Sequence, residues 1–164
     1  MLSLIRLDDR LIHGQVMAVW VRRLSITHIL VLHDDTAGDE FARTLMQTAM
    51  PPRISLTVAP VAEATAMLEE MQRNDTRTLV LLARVEDAVA VHQQWPLPHL
   101  NVGNLGMREG RRLIWRSVAL SSSERLALHQ LQSAGVDVFM QMVPSDQKMR
   151  LTHLDDGRRT TDDR

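Results

Sequence analysis

Residues 6–16 read RLDDRLIHGQV, which sets two arginines, two aspartates and a histidine within residues 6–13. Near neutral pH an imidazole keeps one ring nitrogen unprotonated, so His13 can attack phosphorus and hold a phosphoryl group covalently. Arg10, three residues earlier, carries a planar fork that grips phosphoryl oxygens in pairs. Gly14 presents its backbone N–H with no side chain in front of it. Asp8 or Asp9 can accept a proton from the other ring nitrogen or brace Arg10; a carboxylate aimed at a phosphate would repel it, which favours bracing. The same residues also suit an ordinary helix start, where aspartates complement the dipole. A metal site built from Asp8, Asp9 and His13 lacks a third ligand at suitable spacing.

The flanking segments must hold this cluster. Residues 2–7 (LSLIRL) have the length and apolar content of a strand. A helix is predicted from Ile12 or His13 to about Leu24, with Val16, Val19, Trp20 and Leu24 near one face. His13 then sits at a helix N-terminus beyond the carboxyl end of a strand, where unpaired N–H groups favour an anion. Further strands are predicted at 27–33, 54–58, 77–83, 99–102 and 136–143, with one or two short ones in 113–120. Further helices are predicted at 36–49, 60–72, 85–94 and 121–133. Phe41, Leu45 and Ala49 recur every four residues in the second helix, and Pro51 and Pro52 end it. The run TLVLLA reads as a central strand covered on both faces. Ser121 or Ser122 caps the last helix, with Glu124 three residues after Ser121, and Gly135 ends it. Alternating strands and helices with short connections predict one α/β domain over 1–164: an open, doubly wound, mostly parallel sheet with helices on both faces, and a loose polar tail at about 155–164.

Composition narrows the function. A chain of 164 residues with net charge −1 offers no global basic field for nucleic acid or an anionic membrane, and two Phe, three Trp and no Tyr leave few rings to stack on bases. With no cysteine, thiolate metal sites, disulfides and cysteine nucleophiles are excluded. The N-terminus does not read as a signal peptide and no run approaches the length of a membrane helix, so a cytoplasmic location is expected. The stretch GNLGMREG (103–110) fits neither G-x-G-x-x-G nor the P-loop pattern; no nucleotide or other cofactor is expected, and the stretch is read as a turn framing the site, with Arg108 able to face partners.

The segment RLDDRLIHGQV resembles the phosphorylation-site loop of the IIB subunits of the bacterial sugar phosphotransferase system (PTS), in the mannose/fructose/sorbose family. That family's pattern is close to R-I-D-[DN]-R-L-[IV]-H-G-Q-V, and only Leu7 departs from it. The resemblance continues in LVLHDD (30–35), TLMQTAMPPRI (44–54), LNVGNLGMREGRR (100–112), VALSSSER (118–125) and VPSDQKM (143–149), covering nearly all of 4–149. Asn104 stands where a second glycine is usual, Met50 stands before the proline pair, and Arg53 replaces the glycine after it. The resemblance implies a phosphocarrier that takes a phosphoryl group from a IIA histidine and passes it to a sugar entering through membrane IIC/IID subunits. By position it implies phosphorylation of His13 at Nδ1, with Arg10 steadying the group and Asp9 supporting the loop. Membrane association is expected only through the partner subunits.

The other histidines carry no such pattern. His33, before Asp34 and Asp35, is read as a surface polar residue at the edge of the site; His28, His92, His99, His129 and His153 are read as surface or locally hydrogen-bonded groups. Arg108, Arg111 and Arg112 are read as a solvated basic cluster. Rival readings are a phosphate-binding module without covalent chemistry, a receiver-like domain phosphorylated on Asp8, Asp9, Asp34 or Asp35, and a scaffold subunit.

Overall fold

A computed structural model describes residues 1–151. In chain order it contains β1 (Leu2–Asp8), a helix over 14–23, β2 (His28–Leu32), α1 (Asp34–Gly38), α2 (Glu40–Thr48) and β3 (Ser55–Ala59). There follow a 3₁₀ turn (Val61–Glu63), α3 (Ala64–Arg73), β4 (Thr78–Leu82), α4 (Val85–Gln94) and β5 (His99–Asn104). A hairpin of β6 (Arg112–Trp115) and β7 (Val118–Leu120), α5 (Ser122–Ser133), β8 (Asp137–Met140) and β9 (Met149–Arg150) complete it. Residues 2–8 and 78–82 are apolar and β-branched enough to run through the sheet interior, and β4 is buried along its whole length.

The main sheet runs β3-β2-β4-β1-β5-β8-β9, parallel throughout except for β9, which pairs antiparallel with β8. Its two faces carry separate cores. Val16, Trp20 and Val21 of the first helix, with Met46 and Met50 at α2, pack on one face against Ile29, Val31, Leu79 and Leu81. Ala64 and Leu68 of α3, Val85, Ala88 and Val91 of α4, and Leu128 and Leu131 of α5 pack on the other. The expected doubly wound, mostly parallel sheet with helices on both faces is thus observed. The chain leaves β1 toward one face, whereas it leaves the neighbouring β4 and β5 toward the other. The carboxyl end of β1 is therefore a switch point, where a crevice opens between diverging connections.

Several elements differ from the sequence expectation. The helix predicted over 36–49 is two helices starting two residues earlier: α1 stops at Gly38, and the Asp39 side chain accepts from the Ala42 N–H at 3.0 Å to cap α2. No residue of α2 is fully buried; Met46 meets the core, while Phe41, Leu45 and Ala49 face solvent. The helix predicted from Pro60 opens as a 3₁₀ turn before becoming α3. The first helix is π-helical over Val16–Val21, and its end shows i+5 spacing in the bond from the Ile26 N–H to the Val21 carbonyl. β9 was not expected. The Ser121–Glu124 capping box forms as predicted, and Gly135 holds φ at +99°, which ends α5. The expected tail and His153 lie outside the described residues.

Candidate functional site

β1 ends at Asp8, whose carboxylate is fully buried and serves three side chains. Oδ2 accepts from Arg6 Nε at 3.2 Å and Nη2 at 2.9 Å, and lies 3.0 Å from His13 Nε2. Oδ1 accepts from the Arg10 backbone N–H at 3.2 Å and from Arg10 Nε at 3.4 Å. Nε2 is thus the ring nitrogen turned to the carboxylate, a contact that suits the tautomer with its proton on Nε2.

Arg6 lies inside the sheet, two residues before Asp8 and on the same side of the strand. It also donates from Nη1 to Asn101 Oδ1 at 2.6 Å and to the Gln141 carbonyl at 3.1 Å, and its guanidinium sits 5.3 Å from the Trp20 ring centre. Burial pulls its pKa below the ordinary arginine value, and the charge of Asp8 opposes that pull. The cation needs room. A Cβ on Gly103 would lie 1.9 Å from Arg6 Cζ, so glycine at 103 makes space for the guanidinium.

The loop after Asp8 turns sharply. The Leu11 N–H donates to the Asp8 carbonyl at 2.9 Å, and Leu11 adopts φ of +52° while its side chain is buried in the core. This left-handed residue reverses the chain so that His13 returns over Asp8. Asp9 leaves the loop in the opposite direction. Its Oδ1 accepts from Asn104 Nδ2 at 2.7 Å and its Oδ2 from the Gly106 N–H at 2.8 Å, while its own N–H donates to the Asn104 carbonyl at 3.1 Å. Asn104, the residue departing from the usual glycine, thus ties the loop to β5.

The two aspartates, interchangeable in the sequence, have separate tasks: Asp8 holds His13, Arg10 and Arg6, and Asp9 pins the loop. Arg10 is half-exposed, with Nη2 3.4 Å from Gln15 Oε1. Open space surrounds the position a Gly14 Cβ would take. Sequence reasoning missed Arg6, Asn101 and Gln141; a lone arginine inside a strand pattern was the available signal.

Two readings need correction. His33 is buried, not a surface group: its Nδ1 lies 2.8 Å from Asp87 Oδ2, and it joins β2 to the start of α4. Burial raises the Asp87 pKa despite the neighbouring His33. Arg111 is not simply solvated: its side chain is largely covered, donates to the Gly106 carbonyl at 2.8 Å and pairs with Glu124. A cavity of about 590 Å³ lies near these groups, lined by Arg84, Arg108 and Glu124 among others, but neither Arg10 nor His13 lines it.

Fold and site together define an α/β domain that presents a histidine, oriented by a buried carboxylate, at the switch point of a parallel sheet. The model of the family described as "PTS system sorbose subfamily IIB component" matches residues 2–163, and the chain belongs to that family. It is 31% identical over 151 residues to the sorbose-specific EIIB component of Klebsiella pneumoniae, covering 92% of each chain. The crystal structure of the IIBSor domain from that organism superposes with a TM-score of 0.87 at 29% identity, covering 96% of this chain and 97% of that one. The mannose-specific EIIAB component of Escherichia coli is 27% identical over 154 residues, which are 93% of this chain but 48% of that protein. The chain is therefore a IIB component of the mannose/sorbose type, a phosphocarrier in sugar transport.

Proposed function

We propose that His13 Nδ1 accepts a phosphoryl group from a phosphohistidine on a IIA partner and passes it to a sugar that enters through membrane IIC/IID subunits. The observation that supports this reading is the contact between His13 Nε2 and buried Asp8, which turns the other ring nitrogen, Nδ1, away from the carboxylate. The Nδ1 lone pair forms a bond to phosphorus while the donor's P–N bond breaks, and the donor imidazole leaves with that electron pair. The His13 ring, still protonated at Nε2, becomes cationic, and the Asp8 carboxylate 3.0 Å away offsets the charge. In the second transfer a sugar hydroxyl oxygen attacks phosphorus, Nδ1 recovers its electron pair, and the hydroxyl proton is released. Arg10, half-exposed beside His13, steadies the phosphoryl oxygens, Asp9 fixes the loop, and the open space at Gly14 admits the group. The E. coli relative named EIIAB supports a IIA partner. Among the described residues no helix is long and apolar enough to cross a membrane, which fits a component working at the cytoplasmic side through its membrane partners.

A receiver-like aspartyl phosphate is disfavoured at Asp8 and Asp9, because both oxygens of each carboxylate already accept hydrogen bonds. Intact-mass spectrometry after incubation with phosphoenolpyruvate, the general PTS proteins and a IIA domain tests the proposal. Wild type should gain one phosphoryl group that is stable in alkali and lost in acid. His13→Ala should gain none while melting as wild type, and Arg10→Ala should charge roughly 10–100-fold more slowly. An alkali-labile adduct, or charging of His13→Ala, would overturn the assignment.

A further inference from the structure

The turn that pins Asp9 is itself clamped from α5. The Gly106 N–H donates to Asp9 Oδ2 at 2.8 Å, and the carbonyl of the same residue accepts from Arg111 Nη1 at 2.8 Å, so both backbone groups of Gly106 are engaged. A Cβ on Gly106 would lie 3.3 Å from Asp9 Oδ2; with no side chain there, the carboxylate can approach this closely. Arg111 comes back to the turn because its N–H donates to the Arg108 carbonyl at 3.1 Å while Gly110, between them, holds φ at +80°, in the left-handed region that favours glycine. The other nitrogens of its fork go to Glu124: Nε donates to Oε2 at 3.0 Å and Nη2 to Oε1 at 2.5 Å. Glu124 is fixed in turn by the capping box that starts α5, where Oε2 accepts from the Ser121 N–H at 2.8 Å. Burial pushes the Glu124 carboxyl up, but the hydrogen bonds of Arg111 and Ser121 and the charge of Arg111 hold it below its ordinary value, so the clamp stays ionised.

These contacts end beside His13. Asp9 stands in the chain between Asp8, which meets His13 Nε2 at 3.0 Å, and Arg10, so a shift of Asp9 carries its neighbours with it. Both oxygens of the Asp9 carboxylate bond to the turn, at Asn104 and Gly106. Two guanidinium groups also face Oδ2, Arg108 Nη2 at 3.8 Å and Arg111 Nη1 at 3.9 Å, so charge as well as hydrogen bonding holds the loop. The two arginines differ. The Arg108 side chain is 56% exposed, whereas that of Arg111 is 6% exposed and its planar fork is engaged on two sides, which makes it a strut between α5 and the turn.

We propose that Arg111 is a positioning residue for phosphoryl transfer: clamped by Glu124 at the start of α5, it holds the 104–106 turn against Asp9 and so sets where Arg10 and His13 stand relative to each other. The inference rests on the reading of His13 as the acceptor. Arg111 touches no reacting atom; its effect reaches the site through Gly106 and Asp9. A misplacement of about 1 Å at a reacting centre can cost about 100-fold in rate, and for a residue two hydrogen bonds removed from Asp9 a loss of about tenfold is expected.

The test charges the full chain with phosphoramidate, a small phosphoryl donor, and follows the rate by intact mass, with melting temperature measured on the same samples. Arg111→Met/Glu124→Gln removes both charges together, so no covered ion is left unpaired, and Gln at 124 keeps the capping box. This variant should melt near wild type and charge about tenfold more slowly. Glu124→Gln alone, a change on α5 at a side chain that bonds to no residue of the reactive loop, should slow charging in the same direction by less. A double-mutant cycle separates positioning from a general loosening of the fold: in an Asp9→Ala background the Arg111→Met/Glu124→Gln change should cost no further rate. A wild-type charging rate in either variant, measured while it is folded, overturns the proposal. Additive losses in the cycle also overturn it, because Arg111 would then act elsewhere than through Asp9. Charging of His13→Ala at the wild-type rate strikes instead at the acceptor reading itself.

Discussion

The sharpest consequence of the site geometry concerns Asp8→Asn. The substitution keeps the shape of the side chain and removes its charge. In the native protein the fully buried carboxylate is the only acid that the described contacts give to the fully buried Arg6, at 2.9 Å. Removing one member of such a pair leaves an uncompensated buried charge, which costs about 3–5 kcal/mol. For a chain of this length 1 kcal/mol moves the melting temperature by roughly 2–4 °C, so the expected drop is about 6–20 °C. The same change deprives His13 Nε2 of its carboxylate, and loss of an orienting partner slows a reactive group by about 10–100-fold. The two effects separate in the double variant Arg6→Met/Asp8→Asn. Replacing both charges removes the buried-ion penalty, so most of the stability should return while charging of His13 stays slow. Thermal denaturation and phosphoramidate charging, followed by intact mass, measure both quantities on the same samples. The reasoning is refuted if Asp8→Asn melts within about 2 °C of wild type, or if it charges at the native rate.

Gly103→Ala places a Cβ 1.9 Å from the Arg6 guanidinium, which is held by Asp8, Asn101 and Gln141 and cannot swing away. It should destabilise by at least the roughly 1–3 kcal/mol of overpacking and should also slow charging, whereas Gly14→Ala, with open space around it, should leave stability unchanged; chemical denaturation compares the two. Acid should weaken the fold through His28 and His99, whose pKa values burial lowers from 6.5. Each is neutral in the folded protein where the unfolded chain would protonate it. Their stabilisation is therefore complete above about pH 6.5 and is lost as the pH falls from there through the folded values. Denaturation midpoints measured from pH 7.5 to 5 should fall, and fall less in His28→Gln; equal slopes would exclude His28 as a source.

Much of the fold is written locally. The apolar runs at 2–7 and 77–83, the caps at Ser121 and Gly135 and the proline pair at 51–52 act within a few residues of themselves, so their pattern yields the strand and helix order directly. Periodicity does not say which face a helix buries. Phe41, Leu45 and Ala49 mark α2 correctly as helical, yet they lie on its outer side, because the sheet already meets Met46 and the helix is broken at Asp39. His33 looked like a surface group because its partner, Asp87, lies 54 residues away.

The candidate site divides in the same way. Arg10, His13 and Gly14 share one short loop, and their types and spacing alone raise phosphoryl chemistry. The sequence by itself determined the alternation that makes an α/β sheet and the position of that loop after the first strand, and it singled out the residue proposed as nucleophile. Only the tertiary structure decided that Asp8 rather than Asp9 meets the imidazole, that Nε2 is the ring nitrogen facing that carboxylate, and that Arg6 shares it as a buried counter-ion. The reason is physical. A side chain's chemistry is carried by its own residue, but its burial and partners are supplied by strands remote in the chain. Arg6 meets Asn101 and Gln141, 95 and 135 residues further on, only once the sheet has formed.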